Sequence, residues 1–136
     1  MGIREMNQGV IDEFRANQGK VGGQFKGASL LLLTTTGAKS GLSRTNPLAY
    51  VRDGDRWVII ASYAGAPTNP PWFHNLKANP KVEVEVGNER FTARAEIVGE
   101  PARSELYRKM VSAMPVFAEY QRKTTRSIPV VALSRS

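Results

Sequence analysis

The sequence lacks cysteine, and His74 is the single histidine among its 136 residues. The chain therefore cannot build disulfides, iron–sulfur clusters or the Cys/His sites that bind zinc. His74 falls in a predicted helix, where a histidine is more typical of a surface or capping residue than of a catalytic base. We expect no metal centre, and any redox reaction has to use a borrowed cofactor.

Long hydrophobic runs are also missing. No run approaches the roughly 20 apolar residues that a membrane-spanning helix needs. The first residues, MGIREMNQGVIDEF, carry charges where a signal peptide has its apolar core. We expect a cytoplasmic protein. The length fits one domain over residues 1–136 with a single core, of which residues 1–24 form an N-terminal helical extension.

Acidic residues are few relative to basic ones, with 12 Asp and Glu against 19 Lys and Arg and a net charge of +7. Such a charge attracts nucleic acid, an anionic membrane surface or an acidic small molecule through the same long-range field. The interleaved aromatic and basic residues of a single-strand binder are only weakly represented. Charge alone does not choose among the three partners.

The N-terminal residues 3–18 predict an amphipathic helix, which the glycine-rich residues 19–27 then break. Its apolar side chains recur at helical spacing at Ile3, Met6, Val10 and Phe14. Three arrangements are open. The helix could pack on the rest of the domain, become ordered only against a partner, or lie on a membrane surface. In the last case the basic residues near the headgroups are Arg4, Arg15 and Lys20.

Alternating apolar and polar residues predict about six strands joined by short turns. The strands are expected at residues 29–35, 45–52, 57–62, 81–86, 90–98 and 128–133, and helices at 101–114 and 116–124. In the fourth strand, KVEVEV, the valines should face the core while Glu83 and Glu85 face water. The pattern predicts an α+β domain of about six mainly antiparallel strands with three or four peripheral helices.

A polar, glycine-broken loop follows the first strand and reads TTTGAKSGLSRTNP. Gly37 and Gly41 let backbone amides turn toward a ligand. Lys39, Arg44 and nearby hydroxyls supply donors suited to anionic oxygens. The loop would suit a phosphate or a carboxylate, although such loops are also typical of solvated hairpin connections.

A second segment, NPPWFHNLKANPKV, predicts a short helix. Asn69 is expected as its cap, Pro70 and Pro71 in its first turn, and the pair at 79–80 as its end. The free amides of a helix start can hold an anion. A proline and tryptophan at a helix start are also typical of plain packing.

Three longer segments contain these motifs: LLLLTTTGAKSGLSRTNPLAYV, WVIIASYAGAPTNPPWFHNLKANPKVEVEV and YQRKTTRSIPVVAL. As they stand, they resemble the deazaflavin-dependent nitroreductase family, whose members bind coenzyme F420 in a split β-barrel. The resemblance covers nearly all of the chain from about Phe25. It implies hydride transfer from reduced F420 to a planar electron-poor acceptor such as a quinone, an enone or a nitroaromatic. It also favours an acidic cofactor over nucleic acid, because F420 carries a phosphodiester and an oligoglutamate tail.

The resemblance implies cofactor-binding residues along the chain. For the phosphate, the ribityl-type chain and the tail they are Lys39, Ser40, Arg44, Asn46, Pro47 and Leu48. For the deazaflavin ring they are Ala61, Ser62 and Tyr63, where related members often carry lysine at position 63. A cofactor-facing helix supplies Asn69, Trp72, Asn75 and Lys77, with Trp72 as an apolar wall and Lys77 as a tail contact.

The resemblance also implies a substrate wall at residues 114–120, where relatives that reduce nitro compounds have a tyrosine-rich segment. The matching residues are Met114, Phe117 and Tyr120. Only Tyr120 retains a hydroxyl, so the proton donor is Tyr120, Ser62 or water. Met114 and Phe117 are equally typical of a hydrophobic core.

Three other functions stay open at this stage. The domain could bind FMN or haem in a similar groove, as other members of the barrel superfamily do. It could be a carrier that stores F420 without turnover, or a basic barrel that binds nucleic acid. An absorption spectrum of the bound cofactor, turnover with a quinone, and the salt dependence of oligonucleotide binding separate these functions.

Overall fold

The computed structural model describes residues 3–20 and 29–136, with side chains in the first helix described from residue 7 onward. The helices are α1 (Ile3–Ala16), α2 (Pro71–Ala78), α3 (Ala102–Ala113) and α4 (Val116–Arg122). The strands are β1 (Leu30–Thr36), β2 (Ser43–Ala49), β3 (Val51–Asp53), β4 (Arg56–Ile60), β5 (Lys81–Val86), β6 (Glu89–Ile97) and β7 (Val130–Arg135).

The seven strands form one antiparallel sheet in the order β2-β1-β5-β6-β7-β4-β3. Its two edges, β2 and β3, are consecutive in sequence and are separated by Tyr50 alone. One residue spans only about 3.5 Å of extended chain, so the edges must meet and the sheet must curl. The single strand expected at 45–52 is therefore divided at Tyr50, which gives seven strands in place of about six.

The inner face of the curled sheet encloses the main hydrophobic core. Alternate residues of the strands point inward, as the period of two requires. One side of the core is closed by α2, which contributes three buried side chains. The largest members are Leu31, Leu33, Ile59, Val84, Val131, Leu133, Trp72, Phe73 and Leu76.

The outer face of β3, β4 and β7 carries α3 and α4. Leu106 and Met110 of α3 and Phe117 of α4 pack on Val58 and Val130. The hydroxyl of Tyr107 donates to the Phe117 carbonyl at 2.6 Å, and burial raises the pKa of Tyr107. The two expected helices at 101–114 and 116–124 are thus confirmed.

Helix α1 packs on the outer face of β1, next to β2 and β5. Phe14, with 1% of its surface exposed, and Ile11 contact Leu30 and Leu32. Arg15 donates to both carboxylate oxygens of Glu85, Nε to Oε1 at 3.1 Å and Nη2 to Oε2 at 2.9 Å. Packing is therefore the arrangement that the helix adopts.

The expectation that Glu83 and Glu85 both face water is wrong for Glu85. The side chain of Glu85 is 12% exposed because α1 covers it, whereas Glu83 pairs with Arg90 on the surface. The strand alternates as expected, but its outer face is a second packing surface.

Gly19, at the end of α1, lies directly against the β5–β6 turn. A Cβ atom at Gly19 would lie 2.7 Å from the Cα atom of Gly87. The expected helix break at 19–27, the boundary at residue 24 and the start of the resemblance at Phe25 otherwise fall outside the described residues. Among the described helices, none is long and apolar enough to cross a bilayer.

Phe14→Ala tests the docking of α1. Because Phe14 is almost fully buried, its truncation should lower the free energy of unfolding by about 3–5 kcal/mol. Urea unfolding followed by circular dichroism measures the change. Ile97→Ala, which removes an apolar side chain that is 44% exposed, is the control and should change stability by less than about 0.5 kcal/mol. Equal losses in the two variants would contradict the packing of α1 on the sheet.

Candidate functional site

The basic loop joins β1 to β2 and is closed by its own hydrogen bonds. The Gly37 amide donates to the Leu42 carbonyl at 2.8 Å, and the Gly41 amide donates to the Gly37 carbonyl at 3.0 Å. The Ser40 hydroxyl accepts a bond from the Leu42 amide at 3.1 Å. These contacts fix the loop and leave Lys39 exposed at its tip.

Lys39 lies in this loop and Arg44 directly after it, and neither has a carboxylate partner among the described residues. Elsewhere in the described chain five arginines pair with carboxylates, namely Arg15, Arg56, Arg90, Arg122 and Arg135. Two unpaired cations beside free hydroxyls form a donor set for an anion such as a phosphodiester or carboxylate. In the described part of the chain no cluster of acidic or histidine side chains could hold a metal ion.

Strand β2 extends the cationic end of the loop into the sheet. Arg44, Asn46 and Leu48 share one face because side chains alternate along a strand. Leu48 packs against the inner core, so this is the inward face, and Arg44 is paired in register with Thr35. Pro47 belongs to the other face, so its side chain is separated from those of Asn46 and Leu48.

Asn75 of α2 ties the basic loop to the domain. Its side chain is 8% exposed and both ends of its amide are used inside the protein. Oδ1 accepts from the Ala38 amide at 3.0 Å, and Nδ2 donates to the Thr35 hydroxyl at 3.2 Å. Asn75 thus positions the loop, while the cofactor contact that the resemblance implies for it stays a prediction.

The helix α2 begins differently from the expectation. Pro70 occupies the cap position, and Asn69 instead accepts a hydrogen bond from Arg126 at 2.7 Å. Trp72 is buried in the inner core, while Lys77 is exposed on another face of the helix. Trp72 therefore forms an internal wall, Lys77 is a surface cation, and the cofactor contacts expected of both stay predictions.

The segment Ala61–Ala66, called the ring segment below, follows β4. Ala61 is fully buried, and Ser62 is 7% exposed. Tyr63 is 47% exposed and has a positive φ of 49°. Ala61 is enclosed in the inner core, so a flat group can approach this segment only at Ser62 and Tyr63.

Arg126 holds the ring segment and was given no role by the sequence. Its Nε donates to the Ala66 carbonyl at 2.9 Å, and Nη2 donates to the carbonyls of Ala61 and Ser62 at 3.2 and 2.9 Å. With the bond to Asn69, four uncharged oxygens surround the guanidinium. Burial lowers the pKa of Arg126, but an arginine stays cationic at neutral pH. The one feature of the sequence that could have drawn attention to Arg126 is its place within YQRKTTRSIPVVAL, a segment that carries the family resemblance.

The substrate-side residues differ in how accessible they are. Phe117 is buried in the outer core, which fits the packing role left open for it, and its ring meets that of Tyr120 edge to face at 5.2 Å. Tyr120 is half-buried. Met114 lines an open groove of about 620 Å³ with Tyr50 and Lys109. Of the three residues, Tyr120 and Met114 are accessible to a ligand.

The sequence matches the family model described as F420H(2)-dependent quinone reductase over residues 7–135. An F420H(2)-dependent quinone reductase of Mycobacterium tuberculosis is 44% identical over 127 residues, which are 90% of this chain and 85% of the relative. The resemblance to F420-dependent enzymes is thereby confirmed.

Solved structures agree with the fold. An F420-H2 dependent reductase is 39% identical with a TM-score of 0.72, covering 78% of this chain and 94% of its own. A chain described as a domain-swapped dimer is 36% identical with a TM-score of 0.74, covering 97% and 96%. A heme storage protein from Vibrio cholerae, at 16% identity and a TM-score of 0.61 over 93% and 87%, shares the fold alone. The expected α+β split barrel is confirmed.

Asn75→Ala tests the attachment of the basic loop to α2. The variant leaves the buried Thr35 hydroxyl and the Ala38 amide without partners, so the free energy of unfolding should fall by about 2–3 kcal/mol. Chemical denaturation measures the loss. Asn79→Ala, an exposed position at the end of the same helix, is the matched control and should be nearly neutral. A loss at Asn75 no larger than at Asn79 would show that the two bonds do not hold the loop.

Proposed function

The chain belongs to the F420H(2)-dependent quinone reductase family, and on that premise we propose how its residues divide the work of the reaction. The protein is an oxidoreductase that uses F420 to reduce a quinone. When bound, the reduced cofactor supplies the hydride, and with one proton the quinone becomes a hydroquinone. The protein's share is binding, orientation, exclusion of water and delivery of the proton.

The observation that carries this division is the placement of two cations, Lys39 and Arg44, on the hydrogen-bonded glycine loop and the inward face of β2, with no carboxylate partner among the described residues. Lys39, Ser40 and Arg44 are proposed to bind the phosphodiester and acidic tail. Asn46 and Leu48 continue along the same face toward the barrel. Pro47 is proposed to contribute through its backbone, because its side chain lies on the other face.

At the other end of the site, Ala61 and Ser62 are proposed to lie against the deazaflavin ring. Both side chains are small, and Ser62 keeps 7% of its surface exposed, which supports close approach of a flat ring to this end of β4. Tyr63 takes the place of the lysine common in relatives and is proposed to cover the ring edge without adding charge. Lys77 is proposed as an outer contact of the tail. Asn69 and Asn75 act by positioning, and Trp72 as the internal wall.

The substrate side is proposed to consist of Tyr120 and Met114, with buried Phe117 behind them. Tyr120 is half-buried and its hydroxyl has no hydrogen-bond partner within the described residues. That hydroxyl is therefore available to hold a proton beside the developing charge on a quinone oxygen. The Ser62 hydroxyl is the second candidate, because no described residue accepts from it either.

The domain extent, the docking of α1 and the oligomeric state are also inferred. We infer one domain over residues 1–136 with α1 as an extension docked on the barrel. The apolar face of α1 is already occupied through Ile11 and Phe14, which favours this packing over a membrane surface. The relative described as a domain-swapped dimer supports a dimer for this chain, which its mass in solution tests.

Arg44→Ala tests the phosphate site. Losing a charge-assisted contact of about 1.5–3 kcal/mol should raise the F420 dissociation constant roughly tenfold to a hundredfold. Titration followed by deazaflavin fluorescence measures it. Arg108→Ala on α3 removes the same charge at a distant exposed position and should change affinity less than about twofold. Equal affinity in the two variants would remove Arg44 from the site, and a wild-type protein that fails to bind F420 would refute the function.

Tyr120→Phe tests the proton donor. If its hydroxyl stabilises charge only in the transition state, kcat for quinone reduction should fall by up to about 10²-fold with little change in F420 affinity. The contrast is Tyr107→Phe, whose hydroxyl is already engaged by the Phe117 carbonyl. That variant should lose about 1 kcal/mol of stability and keep its turnover. Unchanged kcat in Tyr120→Phe would transfer the role to Ser62 or water.

A further inference from the structure

The backbone of the ring segment adopts a conformation that its residues do not favour. Tyr63 and Ala64 are consecutive non-glycine residues with positive φ angles of 49° and 54°. For residues with a Cβ atom this left-handed region is sterically costly, by about 1–2 kcal/mol each. Such a conformation persists only when the surroundings impose it.

The guanidinium of Arg126 is the group that imposes it from one side. Its bonds to the carbonyls of Ala61, Ser62 and Ala66 enclose the two left-handed residues, and its bond to Asn69 reaches the start of α2. An arginine has five N–H donors in a rigid plane, and four acceptors here match that fork. None of the four acceptors is a carboxylate. Arg126 therefore fixes the backbone conformation, whereas the surface arginines form ion pairs.

Arg126 is itself held in place by a second set of contacts. Its amide donates to the Thr124 hydroxyl at 3.3 Å, and its carbonyl accepts from Gln121 Nε2 at 2.9 Å. Gln121 Oε1 in turn accepts from Arg103 Nη2 at 2.9 Å. The backbone from which the guanidinium extends is therefore anchored to α4 and, through Gln121, to α3.

On its other side the ring segment is packed directly on α4. Gly65 has a φ of 83°, and a Cβ atom there would lie 2.9 Å from the Tyr120 carbonyl and 2.8 Å from Lys123 Cβ. The segment cannot shift toward the helix, and only glycine fits both the angle and the space. The same residue of α4, Tyr120, provides the proposed proton donor.

From these contacts we propose that Arg126 is a positioning residue, which locks the ring segment into its left-handed conformation and fixes it relative to Tyr120. It acts through the backbone of residues 61–66 and touches neither substrate nor the reacting atoms. The inference rests on the proposed function of that segment in facing the ring. Arg126 then sets the position of the ring segment, proposed to face the deazaflavin ring, relative to Tyr120 on the substrate side.

The first test uses the protein without cofactor. Amide exchange at Gly65 and Ala66, which donate to the carbonyls of Ser62 and Tyr63, reports on the ring segment alone. In Arg126→Ala the exchange rates should rise by at least about tenfold, because hydrogen bonds from a charged group are lost. Arg122→Ala removes an exposed arginine that pairs with Glu119 in the same region and should leave these rates unchanged. Unchanged rates in Arg126→Ala would overturn the proposal.

The second test concerns the chemistry. Arg126→Ala should lower kcat for quinone reduction by about 10–100-fold, while the F420 dissociation constant rises less than about fivefold, because Arg126 bonds to none of the proposed anion-binding residues. Guanidinium chloride at low millimolar concentration should restore part of the turnover, whereas methylammonium chloride should not. Arg126→Lys keeps the charge but loses the planar fork, so it should resemble Arg126→Ala and serves in its place if that variant does not fold.

The possible results distinguish a positioning role of Arg126 from a general effect on stability and from failure of the proposed function. A general loss of stability would lower the melting temperature without a guanidinium-specific rescue, and would overturn the positioning role. Faster exchange with unchanged kcat would also overturn it, because the segment would then be irrelevant to the reaction. Failure of the wild-type protein to bind F420 would instead refute the proposed function, a result that the exchange measurement does not depend on.

Discussion

The single residue between β2 and β3 constrains the whole molecule. Because Tyr50 alone connects strands at opposite edges of a seven-stranded sheet, the sheet has to curl until its edges meet. Curling divides the side chains into an inner set that forms the main core and an outer set covered by helices. Because the sheet curls, the basic loop after β1 and the ring segment after β4 both border the same inner face. The candidate site therefore depends on the closure of the sheet.

Charge is distributed in keeping with that site. Five arginines of the described chain pair with nearby carboxylates, and each such surface ion pair contributes little to stability. The excess of basic residues is left available at places such as Lys39 and Arg44. The chain's positive field can therefore draw in an acidic ligand without the cost of breaking existing ion pairs. Arg126 differs from these surface arginines because its acceptors are uncharged backbone and side-chain amide oxygens.

Much of the fold could be predicted from local patterns. Alternation gave the strands within a residue or two, and the helices at 102–113 and 116–122 were expected from their periodicity and flanking prolines. Contacts between distant residues could not be predicted. The role of Asn69 as a partner of Arg126, the cover that α1 places over Glu85, and the division at Tyr50 all depend on tertiary neighbours. A backbone carbonyl carries no sequence signature, so an arginine that binds carbonyls looks like any surface arginine.

The short helix α2 has a consequence for ligand choice. Its Asn75 holds the basic loop, and Asn69 just before its start is held by the arginine that clamps the ring segment. From Pro71 to Asn75 the helix rises about 6 Å at 1.5 Å per residue, so both attachments lie on one short, rigid element. The proposed anion-binding loop and the buried end at residues 61–66 are thereby held at a fixed separation. For a ligand that binds at both ends as proposed, the distance between its charged group and its ring then matters in addition to the chemistry of either.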